Sequence, residues 1–254
     1  MNLRIPGFRH NTTIMILGDH GARGGYFRQT EQGKLEERLP FMSISLPPWF
    51  KKKYSSEMMN LRRNSEILTS WFDMYQTLRH IMWPANFTVN RPTGRSLFTD
   101  VVSLNRTCDE SGIPSHYCVC LVSSKVKNDD KTVSRVASFV VSHINKMVQN
   151  IAIASKLCAP VQLDRVTQAH MLGSNKELMN HKGWTPANFV TYSVQMKMKN
   201  FGAMFEATED VWDKHMKLSG DISRINRYGD QPKCVAQQFP ELRKFCFCKD
   251  FKPS

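Results

Sequence analysis

Asp19 and His20 are the residues whose types and spacing point most directly to chemistry, because a carboxylate oxygen and an imidazole nitrogen can share one divalent cation. They stand in Gly18-Asp19-His20-Gly21, directly after the apolar run Thr12–Leu17. That run lacks alternation, as expected of a strand covered on both faces in a parallel sheet. In open α/β sheets ligands collect at the carboxyl ends of such strands, so both side chains would be delivered where one ion can bind. Zinc, manganese or calcium is expected, according to the ligands that complete the shell. Adjacent Asp and His also cap ordinary loops, and the strand ahead of them is what favours the metal reading.

Other residues offer weaker chemistry. Arg23 and Arg28 lie in the polar, Gly-rich stretch from Arg23 to Lys34 and could hold the anionic oxygens of an ester, or could be solvated or salt-bridged. Glu36-Glu37 could act as paired acid and base, but structural pairing, with Arg38 for instance, suits a segment without a sugar-binding aromatic platform. His116, His170 and His181 lack ligand spacing and are expected to be structural or exposed.

There are seven cysteines. Cys118-Val119-Cys120 and Cys246-Phe247-Cys248 could together form a four-thiolate zinc site, although zinc ribbons separate their paired cysteines by two or more residues, which favours disulfides. The disulfide candidates are Cys108, Cys118, Cys120, Cys234, Cys246 and Cys248, with Cys158 in an apolar stretch as a buried free thiol. Asn11, Asn86 and Asn105 each open a glycosylation tripeptide. Both features suit an oxidising, extracellular compartment.

The elements that must position these groups follow from periodicity. Phe41–Leu46 reads as a second strand closed by Pro47-Pro48. A helix starts near Ser70, with Ser70 and Asp73 at capping-box spacing and Trp71, Tyr75, Leu78 and Met82 on one face. The Pro- and Gly-bearing segment from Pro84 to Gly94 is a boundary or long connection. Lys131–Ile151 is the strongest helix, with Val133, Val136, Val140, Ile144, Met147 and Ile151 on one stripe and Asp129 and Asp130 near its positive end. Val161–Ala169, Val190–Met198 and Phe201–Thr208 read as strands pairing antiparallel. The class is α/β, with an α/β core over residues 1–98 and a smaller cysteine-containing α+β domain over 99–254.

Composition limits the partners. The 254 residues carry a formal charge of +13. Such an excess favours anionic glycans or phosphate and sulfate esters. Its tight clusters are Lys51-Lys52-Lys53 and Arg62-Arg63, and no zinc-finger spacing or stacking aromatic run accompanies them, so nucleic acid is not expected. No window approaches the roughly 20 apolar residues of a membrane-spanning helix. Met1–Pro6 lacks an apolar signal region, so a secretory context implies sequence ahead of Met1.

Gly18-Asp19-His20-Gly21 is followed in order by Arg23, Thr30, Gln32-Gly33, Glu36-Glu37-Arg38 and Pro40-Phe41. This series resembles the alkaline-phosphatase/sulfatase superfamily, in a secreted animal branch known as a domain of unknown function. The likeness continues through Asp73, Tyr75, Thr77-Leu78, Gly94 and Ser96-Leu97-Phe98. It extends to Arg106-Thr107-Cys108, Gly112-Ile113-Pro114, Cys118 and Cys120, and then to Phe205-Glu206-Ala207, Ser223-Arg224-Ile225-Asn226, Tyr228-Gly229, Cys234 and Cys246-Phe247-Cys248. The resemblance implies the C-terminal part of a sulfatase-like sheet sandwich, in which a metal-bound Thr, Ser or modified Cys attacks a phosphate or sulfate ester. Asp19 and His20 match the later pair of metal ligands, and nothing matches the earlier Asp ligand or the nucleophile. The expectation is therefore a hydrolase-like fragment inactive alone; the alternative is a secreted, non-catalytic protein that binds anionic glycans or a protein partner.

Overall fold

Strand alternation and helix capping account for most of the elements. The computed structural model describes residues 8–84, 87–88, 93–99, 101–173, 189–199 and 202–252. In chain order the first elements are α1 (Phe8–Asn11), β1 (Ile14–Leu17), α2 (Glu31–Arg38), β2 (Met42–Ser45), α3 (Pro48–Lys53), α4 (Ser55–Asn64) and α5 (Trp71–Met82). There follow β3 (Val122–Lys125), α6 (Lys131–Gln149), α7 (Ala152–Leu157), β4 (Leu163–Gly173), β5 (Val190–Met198), β6 (Met204–Trp212), β7 (His215–Leu218) and β8 (Ser223–Arg224). The chain is mixed α/β and forms two compact units, Met1–His20 with Leu39–Pro114, and Gly21–Arg38 with Ser115–Ser254. Residues 21–38 belong to the second unit by contact, and the first ends at Pro114.

In the first unit β1 pairs antiparallel with β2, from Ile14 opposite Ser45 to Leu17 opposite Met42. This corrects the expectation of a parallel strand buried on both faces, since Ile16 is 58% and Leu17 42% exposed. A four-residue apolar run has the same composition in either setting. Helix α5 opens as expected, with the Ser70 amide donating to Asp73 Oδ2 at 2.7 Å. Its apolar stripe lies on the exposed side: Trp71, Tyr75, Leu78 and Met82 are all exposed, while Asp73, Gln76 and Thr77 are buried.

That buried polar side organises the unit. Arg106 donates to both oxygens of Asp73, at 2.8 and 3.1 Å, and the Arg95 amide donates to Oδ1 at 2.9 Å. Thr77 Oγ1 accepts from the Leu97 amide at 3.0 Å. Asn64 of α4 donates to the Leu97 carbonyl at 3.0 Å and accepts from the Val102 amide at 2.9 Å. The irregular stretch around residues 93–106 thus meets its backbone hydrogen-bonding needs through side chains of α4 and α5.

The second unit is built on an antiparallel sheet in the order β3-β4-β5-β6-β7, with β8 paired to β6. Helix α6 has the predicted stripe, with Val133, Val136, Val140 and Ile144 at 0% exposure. Asp130 caps it by accepting from the Thr132 and Val133 amides at 2.7 and 3.2 Å. The stripe packs in one core with Ala169 of β4, Val194 and Met196 of β5, and Phe205, Ala207 and Val211 of β6. Each such Val or Ile contributes about 1.5–3 kcal/mol by leaving water.

Alternation along β6 places Glu209 on this same apolar side, between Ala207 and Val211. It is fully buried, and neither carboxylate oxygen has a hydrogen-bond partner among the described residues. Burial, followed by the neighbouring Asp210, pushes its acid well above the ordinary value of 4.5. A raised folded-state value gives stability that is complete below that ordinary value and is lost as pH rises through the folded value. Glu209→Leu is therefore expected to flatten the alkaline side of the stability profile and to stabilise the fold by about 1–3 kcal/mol at pH 8. Urea denaturation from pH 4 to 8 measures this, and a variant profile parallel to that of the parent would contradict it.

Candidate functional site

The turn after β1 is fixed by the Gly18 amide, which donates to the Phe41 carbonyl at 2.9 Å. Beyond it Asp19 Oδ2 lies 3.3 Å from His20 Nε2, with the side chains 86% and 33% exposed. Asp19 Oδ1 accepts from the His20 amide at 2.9 Å. Two neighbouring ligands about 2.1 Å from one ion lie about 3.0–3.4 Å apart, so this spacing fits shared coordination. Among the described residues, the groups of three or more His, Cys, Asp and Glu that converge closely enough to hold an ion are cysteine-based, and none contains Asp19 or His20.

The two arginines have different settings. Arg23 is exposed. Arg28 is 1% exposed, in a single 3-10 turn at Phe27–Gln29, and its guanidinium is held inside the second unit. There Nη2 donates to Glu206 Oε2 at 2.7 Å and Nε pairs with Glu37 Oε2. Lys34 Nζ lies 3.1 Å from Glu206 Oε1, and Arg38 Nη2 lies 3.1 Å from Glu206 Oε2. Gly33 allows this convergence, because a Cβ there would fall 2.0 Å from the Phe27 carbonyl oxygen. Glu37 thus has the structural pairing expected of it, chiefly with Arg28 and at 4.0 Å with Arg38, while Glu36 accepts from Gln32 at 3.2 Å.

Glu206 is the residue that sequence reasoning missed. It lies on the face of β6 opposite Glu209 and is fully buried. Burial alone would raise its carboxyl, but Lys34, Arg38 and Arg28 outweigh burial and hold it at about 2. The registers Gln195 opposite Glu206, Ser193 opposite Thr208 and His170 opposite Ser193 make this side of the sheet polar. His116 is buried against it, with Nδ1 3.0 Å from Thr208 Oγ1 and Nε2 2.9 Å from Ser223 Oγ. Burial brings His116 down to about 4 against the pull of Glu206, so it is neutral at physiological pH. His170 is likewise lowered, first by burial and then by Lys34. A glutamate inside an alternating strand signalled the buried charge, but the partners lie up to 178 residues away in sequence.

The cysteines are assigned differently from the expectation. Cys158 is bonded to Cys246 and Cys234 to Cys248, and Cys108 and Cys118 are also disulfide-bonded. The free thiol is Cys120, which is exposed. Cys158 is buried as its apolar surroundings suggest, and it forms an isolated antiparallel backbone bridge with Cys248. Cys118 and Cys120 fall in a different sulfur group from Cys246 and Cys248, so the four do not form one zinc site. Asn11 and Asn105 are exposed, as a glycan acceptor requires, and Asn86 lies outside the described residues, as does His181. No helix among the described residues is long and apolar enough to cross a membrane.

A family model described as a protein of unknown function (DUF229) matches residues 2–167. No curated protein and no solved structure matches the chain.

Glu206→Gln leaves three buried cations facing one fewer carboxylate and is expected to destabilise the second unit on the order of 3–5 kcal/mol. A depressed folded-state value gives stability present above the ordinary 4.5 and lost as pH falls through about 2, so the parent should weaken across that window and the variant should not. Chemical denaturation at pH 7 and acid titration followed by circular dichroism check both, and a loss under about 1 kcal/mol would contradict the assignment.

Proposed function

The chain belongs to the DUF229 family, and on that basis we propose that it is part of a secreted, metal-dependent phosphate- or sulfate-ester hydrolase-like protein in which Asp19 and His20 supply two metal ligands. The observation that carries this reading is the 3.3 Å separation of carboxylate and imidazole after β1. The ordered likeness to the alkaline-phosphatase/sulfatase superfamily supports it. Disulfides and exposed glycosylation tripeptides support the extracellular setting. A mixed oxygen and nitrogen donor pair favours zinc or manganese over calcium, which prefers an all-oxygen shell. Such an ion, when bound, polarises an ester and lowers the pKa of an attacking group. Asp19 would supply a carboxylate oxygen and His20 an imidazole nitrogen, and both would hold and orient the ion. Arg23 is the candidate for the ester's anionic oxygens, since Arg28 is occupied by Glu37 and Glu206.

Two ligands hold an ion loosely, and no residue of this chain is assigned as nucleophile, so the chain alone is expected not to turn over esters. Calorimetric titration with zinc and manganese should show weak binding that falls at least about tenfold in Asp19→Asn and in His20→Gln. Equal binding in parent and both variants, or turnover of nitrophenyl sulfate or phosphate by the chain alone, would count against this reading.

The exposed basic run Lys51–Lys53 at the end of α3, with Arg62 and Arg63 exposed on α4, favours a second reading, a non-catalytic surface for anionic glycans. On a heparin column retention should fall steeply with salt, and replacing Lys51, Lys52 and Lys53 by Ser should shift elution to lower salt. Elution insensitive to either change rules this surface out.

A further inference from the structure

The polar side of the six-stranded sheet holds a cavity of about 90 Å³, lined by Glu31, Lys34 and Arg38 of α2, Ser123 of β3, His170 of β4 and Ser193 of β5. That space holds several waters, and so has room for an ion of a few heavy atoms. The buried ion cluster that Lys34 and Arg38 of this lining share with Glu206 is unbalanced in charge. Arg28, Lys34 and Arg38 bring three positive charges against the two buried carboxylates Glu37 and Glu206. Glu31, 3.4 Å from Lys34, is 71% exposed, and water screens most of its charge. One cation is therefore in excess within the buried cluster.

The hydrogen bonding is unbalanced in the same sense. Among the described residues, buried donors without a hydrogen-bond partner include Arg38 Nε, on the cavity lining and 4.0 Å from Glu37 Oε2, and, off the lining, Arg28 Nη1 and Gln195 Nε2. The unpartnered carboxylate oxygens of the cluster, Glu37 Oε2 and Glu206 Oε1, each face a cation, Arg28 and Lys34 respectively. What the cluster lacks is acceptors and negative charge. Buried donors without acceptors are costly, and a group that supplies several acceptors at once relieves that cost. His170, whose imidazole burial and then Lys34 shift away from protonation, adds a ring nitrogen able to donate, and the two serines add hydroxyl donors.

We propose that this cavity binds a small tetrahedral oxyanion, inorganic sulfate or phosphate, held by Lys34 and Arg38 and oriented by Ser123, His170 and Ser193. The site lies within the second unit and owes nothing to Asp19 or His20, so its test is independent of the metal reading. Charge-assisted contacts from Lys and Arg supply the strength, and the neutral donors select an ion with several oxygens over a spherical halide.

The experiment is calorimetric titration of the whole chain with sodium sulfate and sodium phosphate, using sodium chloride at matched ionic strength as reference. Saturable binding of one equivalent is expected, weakened at least fivefold in Ser193→Ala and in His170→Gln, neither of which takes part in the Glu206 ion pairs. The His170 imidazole, followed by NMR, should titrate at higher pH when the anion is bound, as a negative neighbour requires. Methyl sulfate that competes identifies a site open to the terminal group of an ester, and failure to compete identifies the free anion; either agrees with the proposal. A response equal to that of chloride, or saturable binding unchanged in both variants, overturns it.

Discussion

Glu206 is the constraint on which the second unit depends. A fully buried carboxylate is tolerable only when cations surround it, and here Arg28, Lys34 and Arg38 all converge on its two oxygens. None of the three is near it in sequence. The ion pairs therefore draw residues 21–38 out of the chain's first hundred residues and into the unit formed after residue 114. Buried ion pairs are demanding about geometry: a one-residue slip of β6 would turn Glu206 to the apolar side, where the buried face of α6 is Val, Ile and Ala. The cluster thus sets register and chain path together.

The same strand carries the opposite case. Glu209 sits three residues from Glu206, on the other face, without a hydrogen-bond partner among the described residues. Partners pull the acid of one side chain down, while burial, followed by Asp210, pushes the other up, so side-chain alternation sends the two in opposite directions. In the first unit Asp73 plays the organising part. Its two oxygens receive Arg106, the Arg95 amide and the Ser70 amide, which ties an irregular segment to the start of a helix. In both units a buried carboxylate, more than an apolar stripe, decides which distant segments meet.

This explains what could be read in advance. Helix α6 and strand β5 were legible because their signals are local: a valine stripe at helical spacing with Asp130 ahead of it, and alternation from Val190 to Met198. The stripe of α5 was legible as a helix face but not as an exposed one, since its burial depends on Asp73, Gln76 and Thr77 finding polar partners up to 33 residues away. The partner of β1, the pairing of Cys158 and the role of Arg28 are long-range outcomes of the same kind. A charge inside a strand announces that partners exist without saying where they are.

The pair Asp19-His20 differs from all these clusters in being formed by two adjacent residues. Its geometry needs no distant segment to form, which is why it could be picked out in the sequence, and the same locality limits it to two donors. The cysteines are the contrary case: six of the seven are in disulfides, and Cys158–Cys246 closes a separation of 88 residues that no local signal announces.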